Sequence, residues 1–131
     1  MQIPFSQILL VGAGGMLGSM LRFVTGFFVT KQFGSKIPWG TFAVNIIGCF
    51  IIGLVLGYSL KKMAETGLSA PGNWALFLTT GFCGGFTTFS AFSNEGFLLL
   101  KQNQISLFFA YFTASVVFGL LATAAGYFLT K

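Results

Sequence analysis

Four apolar stretches separated by short polar breaks dominate this sequence, and each is about as long as a membrane-spanning helix. They cover roughly residues 3–30, 38–60, 73–100 and 105–129. A helix needs about 20 mainly apolar residues to cross the hydrocarbon core of a bilayer. The pattern therefore predicts an all-α membrane protein with four transmembrane helices, forming a single transmembrane domain over residues 1–131.

Composition supports a lipid environment and excludes most enzyme chemistry. Only 7% of the residues are Asp, Glu, Lys or Arg, whereas a soluble domain carries about 25%. The chain has no His, and its two acids are Glu65 and Glu95, so it lacks the usual bases and metal-ligand clusters. We therefore expect a multi-pass protein of the cell membrane with lipid as a partner, and not an enzyme.

The positive charges are few and scattered. The net charge is +5, and the seven cations form no continuous run, so nucleic acid is not an expected partner. With four spans, three loop or terminal lysines fall on each side of the membrane. Because basic loop residues set orientation, this near-equal count predicts insertion in both orientations and pairing of inverted copies as an antiparallel homodimer.

Glycines recur at spacings that allow close helix packing. Gly14 and Gly18 form one GxxxG pair, and Gly53 and Gly57 form another. Small residues at this spacing let helix backbones approach each other in lipid. We interpret these positions as helix-packing sites.

The third apolar stretch contains residues that do not favour a continuous helix. Its middle has the sequence Gly84-Gly85-Phe86-Thr87-Thr88, and Gly and Thr are poor helix formers. A break there would free backbone carbonyls, which membranes tolerate only where protein, ions or water satisfy them. We predict that the third helix is broken near the bilayer midplane, the alternative being an intact helix packed through its glycines.

Inverted copies would bring two such breaks together. A residue midway along a span meets its own copy at a two-fold axis lying in the membrane plane, and Gly84 to Thr87 lie near that midpoint. Carbonyls from both copies would then face one point. A small cation bound there would satisfy them.

Polar side chains also recur along the second and fourth stretches. Thr41 and Asn45 share one helical face, as do Tyr111 and Ser115. The Asn45 amide could donate to an anion, and the hydroxyls could line an ion path. The alternative for each is a hydrogen bond between helices.

Two phenylalanines and two charged residues complete the candidates. Phe89 and Phe92 share a face directly after the proposed break, and the positive edge of an aromatic ring attracts an anion without binding it strongly. Arg22 either reaches the membrane surface, anchors the broken region or lines a vestibule. Glu95, near the end of the third stretch, could face water.

Three sequence blocks resemble the Fluc family of fluoride channels, also called CrcB. They are Gly12-Ala13-Gly14-Gly15 with Leu21-Arg22-Phe23, then Trp39 to Gly48, then Gly81 to Phe92. The third block is the most specific, and with length and layout the resemblance covers the whole chain. Phe23, Ala91 and Met16 depart from the family pattern.

The resemblance implies an antiparallel, dual-topology homodimer with two pores that export fluoride passively and a central structural sodium ion. By position, Asn45, Phe89 and Phe92 match pore residues. Thr41, Tyr111 and Ser115 match a polar track, and Arg22 and Glu95 match vestibule residues. Gly84 and Thr87 match the residues whose backbone carbonyls bind the sodium.

Two other functions compete with this hypothesis. A small four-helix, proton-coupled exporter of organic cations needs a carboxylate within the membrane, and Glu95 is the single candidate. A non-conducting assembly partner would explain the glycines. It would not explain Asn45 or the Thr-Thr-Phe-Ser run.

Overall fold

The structure, a computed structural model, describes residues 3–131, and every regular element in that range is helical. The elements are α1 (Phe5–Phe33), α2 (Trp39–Thr66), α3 (Asn73–Leu76), a π-helical segment (Phe77–Cys83), α4 (Gly84–Phe86), α5 (Phe89–Lys101) and α6 (Ile105–Thr130). The stretch Asn73–Lys101 acts as one span, so the described chain has four helices long and apolar enough to cross a membrane. The predicted fold class is confirmed at this level.

Helices α1 and α2 extend beyond the predicted apolar stretches. α1 continues through Lys31 and Gln32 to Phe33, and α2 runs on past Leu60 to Thr66. Polar residues can prolong a helix once it leaves the hydrocarbon core, so hydropathy alone places these ends too early. α2 ends at Gly67, whose φ of 69° is left-handed and whose amide donates to the Met63 carbonyl, a common helix terminus.

The third span is interrupted near the middle of its 29 residues. Thr87 (φ −84°, ψ 162°) and Thr88 (φ −153°, ψ 118°) are extended and separate α4 from α5. The predicted break is confirmed, but it falls on the two threonines. Gly84 and Gly85 are themselves helical, and the widened π-helical turn precedes them.

Glycine explains why α1 packs so closely on the broken span. A Cβ atom built on Gly14 would lie 2.6 Å from the carbonyl oxygen of Phe77 and 2.8 Å from the amide nitrogen of Phe82. Gly18 faces the carbonyl of Phe82 in the same way. Backbone contacts of this kind hold helices together in lipid, where no hydrophobic effect does so. The prediction that this GxxxG pair is a packing site is confirmed.

Helices α2 and α6 form the second close pair. Gly53 packs on the Thr123 carbonyl, and Gly126 packs on the Phe50 carbonyl. The Thr123 hydroxyl donates to the Cys49 carbonyl (3.1 Å), tying the two helices together. The N-terminal part of α2 lies beside the break, where Asn45 contacts Thr88.

The two tryptophans mark opposite ends of the bundle. Trp39 begins α2, whereas Trp74 lies in α3, at the end where α2 terminates. Trp74 packs on Tyr58 of α2 with ring centroids 5.4 Å apart. Trp and Tyr concentrate at membrane–water interfaces, so the two aromatic sites indicate the edges of the bilayer.

We predict that Gly14→Leu destabilises the fold by about 1–3 kcal/mol, because the new side chain has no room against the third span. Thermal unfolding of the purified protein measures the effect. Gly12→Leu is the matched control, since a Cβ at Gly12 meets nothing within 4 Å. Equal stability of the two variants would contradict the packing described here.

Candidate functional site

A pair of hydrogen bonds from α2 stabilises the break in the third span. The amide N–H of Thr88 donates to Asn45 Oδ1 (2.7 Å), and Asn45 Nδ2 donates to the Thr88 carbonyl (3.1 Å). Since the backbone N–H can only donate, it fixes which way the Asn45 amide faces. One of the two Nδ2 hydrogens stays available for a further acceptor. Asn45 therefore satisfies both backbone groups of one residue within the span.

The same region frees two carbonyl oxygens. In an unbroken helix the amides of Thr88 and Ala91 would donate to the carbonyls four residues earlier, those of Gly84 and Thr87. Here the Thr88 amide bonds Asn45, and the Ala91 amide donates to Thr88 Oγ1 (3.1 Å). The break thus releases the two carbonyls for which the sequence predicts a cation.

Helix α5 begins at the break, with Thr88 as its N-cap. The first amides of a helix have no intrahelical acceptor, and Thr88 Oγ1 accepts from the third of them, Ala91. The amides of Phe89 and Ser90 remain at the positive end of the α5 dipole. The break consequently places helix donors, rather than a continuous apolar surface, in the middle of the span.

The two phenylalanines lie together but in different surroundings. Their ring centroids are 5.9 Å apart, tilted by 44°, so they do share a face. Phe92 is only 8% exposed and packs on Tyr111 at 5.2 Å. Phe89 is 78% exposed. Within a single chain, the Phe89 ring therefore projects into open space.

A groove of about 300 Å³, called here the phenylalanine groove, lies beside Phe89 and Phe92. Its walls come from α2, the break, α5 and α6: Asn45, Cys49, Ile52, Thr87, Thr88, Phe89, Phe92, Ser115 and Val116. The Ser115 hydroxyl is buried and has no hydrogen-bond partner among the described residues. Four predicted pore residues, Asn45, Phe89, Phe92 and Ser115, are thus brought to one open groove.

Glu95 links the remaining polar positions. Its carboxylate accepts from Thr41 Oγ1 (2.6 Å) and from the Tyr111 hydroxyl (2.9 Å). The side chain is half-buried between α2 and α6, so within the chain it lies in a polar cluster and not at a free helix end. Tyr111, 5% exposed, packs behind Phe92 and does not line the groove.

Thr41 and Arg22 lie at a second cavity on the other side of the break. This cavity, about 280 Å³, is lined by residues of α1 and α2 together with Thr88 and Ala91. Arg22 is half-buried there and makes no ion pair with the described acids. Thr88 borders both spaces, so the break separates the Arg22 cavity from the phenylalanine groove.

Two residues at the break and its groove were not among the predicted site residues. Thr88 serves as N-cap and as the partner of Asn45, and a Thr directly before a helical run was an available capping signal. Cys49 lines the groove one turn after Asn45. Nothing in its sequence context, an apolar run, distinguishes it from a packing residue.

Comparison with known proteins identifies the family. Residues 9–127 match the family described as CrcB-like protein, Camphor Resistance (CrcB). The chain belongs to the CrcB family. It is 44% identical to the fluoride-specific ion channel FluC of Flavobacterium psychrophilum, covering 95% of this chain and 96% of that protein. It is 46% identical to the FluC protein of Gloeothece citriformis, covering 95% and 97%.

A third relative extends the agreement. The fluoride-specific ion channel FluC of Rhizobium meliloti is 43% identical over 126 residues, covering 96% of this chain and 97% of that protein. The family predicted from the sequence blocks is confirmed. Because coverage is nearly complete in each direction, the match includes all four spans of this CrcB chain.

We predict that Asn45→Ala destabilises this CrcB protein by about 1–3 kcal/mol, because it leaves the Thr88 amide without an acceptor and removes one of the donors to the Thr88 carbonyl. Thermal unfolding measures the loss, and hydrogen exchange at the Thr88 amide locates it. Asn94→Ala, at an exposed position of α5, serves as the matched control. Unchanged protection of the Thr88 amide in Asn45→Ala would show that the pair does not stabilise the break.

Proposed function

We propose that this protein is a fluoride-selective channel that lets fluoride leave the cell passively. The observation that carries the proposal is the groove at the broken span, where an amide, two phenylalanine rings and an unpartnered hydroxyl converge. The names of the relatives, each a fluoride-specific ion channel, point to the same ion. No described feature favours the proton-coupled exporter, because Glu95 is already bound by two hydroxyls.

The donors of the groove suit a small, strongly hydrated anion. Fluoride loses water on entering, and the free Nδ2 hydrogen of Asn45 and the hydroxyl of Ser115 replace part of that shell. The ring edges of Phe89 and Phe92 add weak attraction, and the N-terminal end of α5 adds its positive dipole. Several weak contacts let an ion enter and also leave, as conduction requires.

A second, inverted copy would complete the path. The phenylalanine groove is open along one side, so in a bilayer the free Nδ2 hydrogen of Asn45 would lie against lipid unless another surface covers it. A copy related by an axis in the membrane plane would supply that surface and repeat the site. This produces two pores per antiparallel homodimer, and the balanced loop charges favour the two orientations that such a dimer needs.

The residues at the break also fit a structural sodium ion. The described chain contains no group of three or more His, Cys, Asp or Glu that could hold a metal, so neutral oxygens are the candidate ligands. The freed carbonyls of Gly84 and Thr87 are hard donors of the kind that such cations prefer. When bound between two copies, the ion would neutralise carbonyl dipoles that otherwise face each other.

We predict that liposomes containing the purified protein release fluoride down its gradient and retain chloride. Phe89→Ile and Phe92→Ile should each lower fluoride flux at least about tenfold, equivalent to a loss of roughly 1.4 kcal/mol, because an aliphatic side chain has no positive edge. A fluoride electrode and a chloride electrode record the two fluxes.

Phe97→Ile is the matched control for this experiment, since Phe97 lies on the same helix, is 64% exposed and borders none of the cavities described above. It should conduct like the unaltered protein. Full flux in both Phe89→Ile and Phe92→Ile, with the protein still folded, would remove these rings from the pathway.

We also predict that sodium stabilises the dimer. Replacing sodium with a bulky organic cation during purification should shift the protein toward monomer or lower its thermal stability, since an ion that binds only the assembled state stabilises it by mass action. Analytical ultracentrifugation in detergent measures the shift, at matched ionic strength. A dimer unaffected by sodium over a wide concentration range would contradict a central cation.

A further inference from the structure

A different site opens at the membrane edge, at the other end of α2 from the break. Two cavities adjoin where α2 ends and α3 begins, and Ser59, Pro71 and Gly72 line both of them. The larger, about 370 Å³, is walled mainly by apolar side chains, with Ile52, Val55, Leu56 and Leu76 among them. The smaller, about 150 Å³, contains Lys62. Together they form an apolar slot with a basic end, called here the α2–α3 slot.

The α2–α3 slot lies at the depth of lipid headgroups. Asn45 bonds the middle of the third span, and Ser59 follows it by fourteen residues of helix, or about 21 Å at the usual rise. Half of a typical hydrocarbon core is about 15 Å. The Tyr58–Trp74 aromatic pair borders the same place, as expected for a membrane interface.

The charged residues at this end of the helix bundle favour binding of an anion. Lys61, Lys62 and the terminal Lys131 lie at the end where α2 and α6 finish, against the single acid Glu65. Lysine binds phosphate as a compact point charge. Ser59 is 4% exposed, and its hydroxyl has no hydrogen-bond partner within residues 3–131. At the junction of the two cavities, a buried hydroxyl is therefore left to bond a ligand.

We propose that the α2–α3 slot binds an anionic phospholipid, with its phosphate at Lys62 and one acyl chain along Leu56 and Ile52. A cavity with an apolar floor and one cationic end matches a lipid better than it matches a soluble anion. Ile52 also lines the phenylalanine groove, so the chain end would lie against the wall of that groove. This site is independent of whether the groove conducts fluoride.

Native mass spectrometry of the detergent-solubilised protein with added phosphatidylglycerol tests the headgroup contact. We expect Lys62→Gln to weaken binding about fivefold, the usual effect of one lysine near an anionic membrane surface. Lys61→Gln is the matched control, because it removes the same charge from the neighbouring residue, which lines neither cavity. Equal weakening by both variants would indicate diffuse surface charge and would overturn the proposed site.

The acyl-chain contact has its own test. Leu56→Trp should reduce phosphatidylglycerol binding by filling the apolar cavity, whereas Leu60→Trp, one turn further along α2 and outside both cavities, should not. Thermal unfolding of both variants checks that they remain folded. Unreduced binding in a folded Leu56→Trp variant would overturn the chain placement.

Ligand choice separates the remaining outcomes. Phosphatidylglycerol should raise thermal stability more than phosphatidylcholine does, and inorganic phosphate should have little effect. Equal stabilisation by the two lipids would show that Lys62 does not select a charged headgroup. Equal stabilisation by inorganic phosphate would show an anion site without a lipid, and either result would overturn the proposal.

Discussion

The structure depends on one exchange of hydrogen bonds in the middle of a membrane span. A broken helix exposes backbone groups that lipid cannot satisfy, and here the Asn45 side chain pairs with both the amide and the carbonyl of Thr88. Without that pair, the Thr88 amide would lie within the span without an acceptor. The Asn45 side chain therefore has a structural role in stabilising the break.

The exchange of hydrogen bonds leaves backbone groups free on both sides of the break. The amides of Thr88 and Ala91 bond side chains, so the Gly84 and Thr87 carbonyls lose their helical partners. On the other side, α5 begins with unpaired amides beside Phe89. One interruption therefore supplies oxygen donors suited to a cation and N–H donors suited to an anion. The proposed channel uses both sets of groups.

Close packing through glycines surrounds the break. α1 packs on the π-helical segment through Gly14 and Gly18, and α2 packs on α6 through Gly53 and Gly126. These contacts place the helices so that the Asn45 side chain reaches Thr88. The phenylalanine groove remains open beside Phe89, and the proposed inverted copy accounts for that opening. The lipid-binding slot proposed at the other end of α2 belongs to the membrane edge and needs no part of the break.

The sequence alone determined that there are four spans and favoured a break within residues 84–88, because hydropathy and helix propensity are local properties. It also identified the family, since the Gly81–Phe92 block is specific. It could not assign partners: Asn45 and Thr88 are 43 residues apart, and Thr41 and Glu95 are 54 apart. Thr41 and Asn45 share a helical face by spacing, yet they line cavities on opposite sides of the break. Only the packing of α2 against α5 and α6 decided which side chains meet, because hydrogen bonds across such separations depend on where the helices lie.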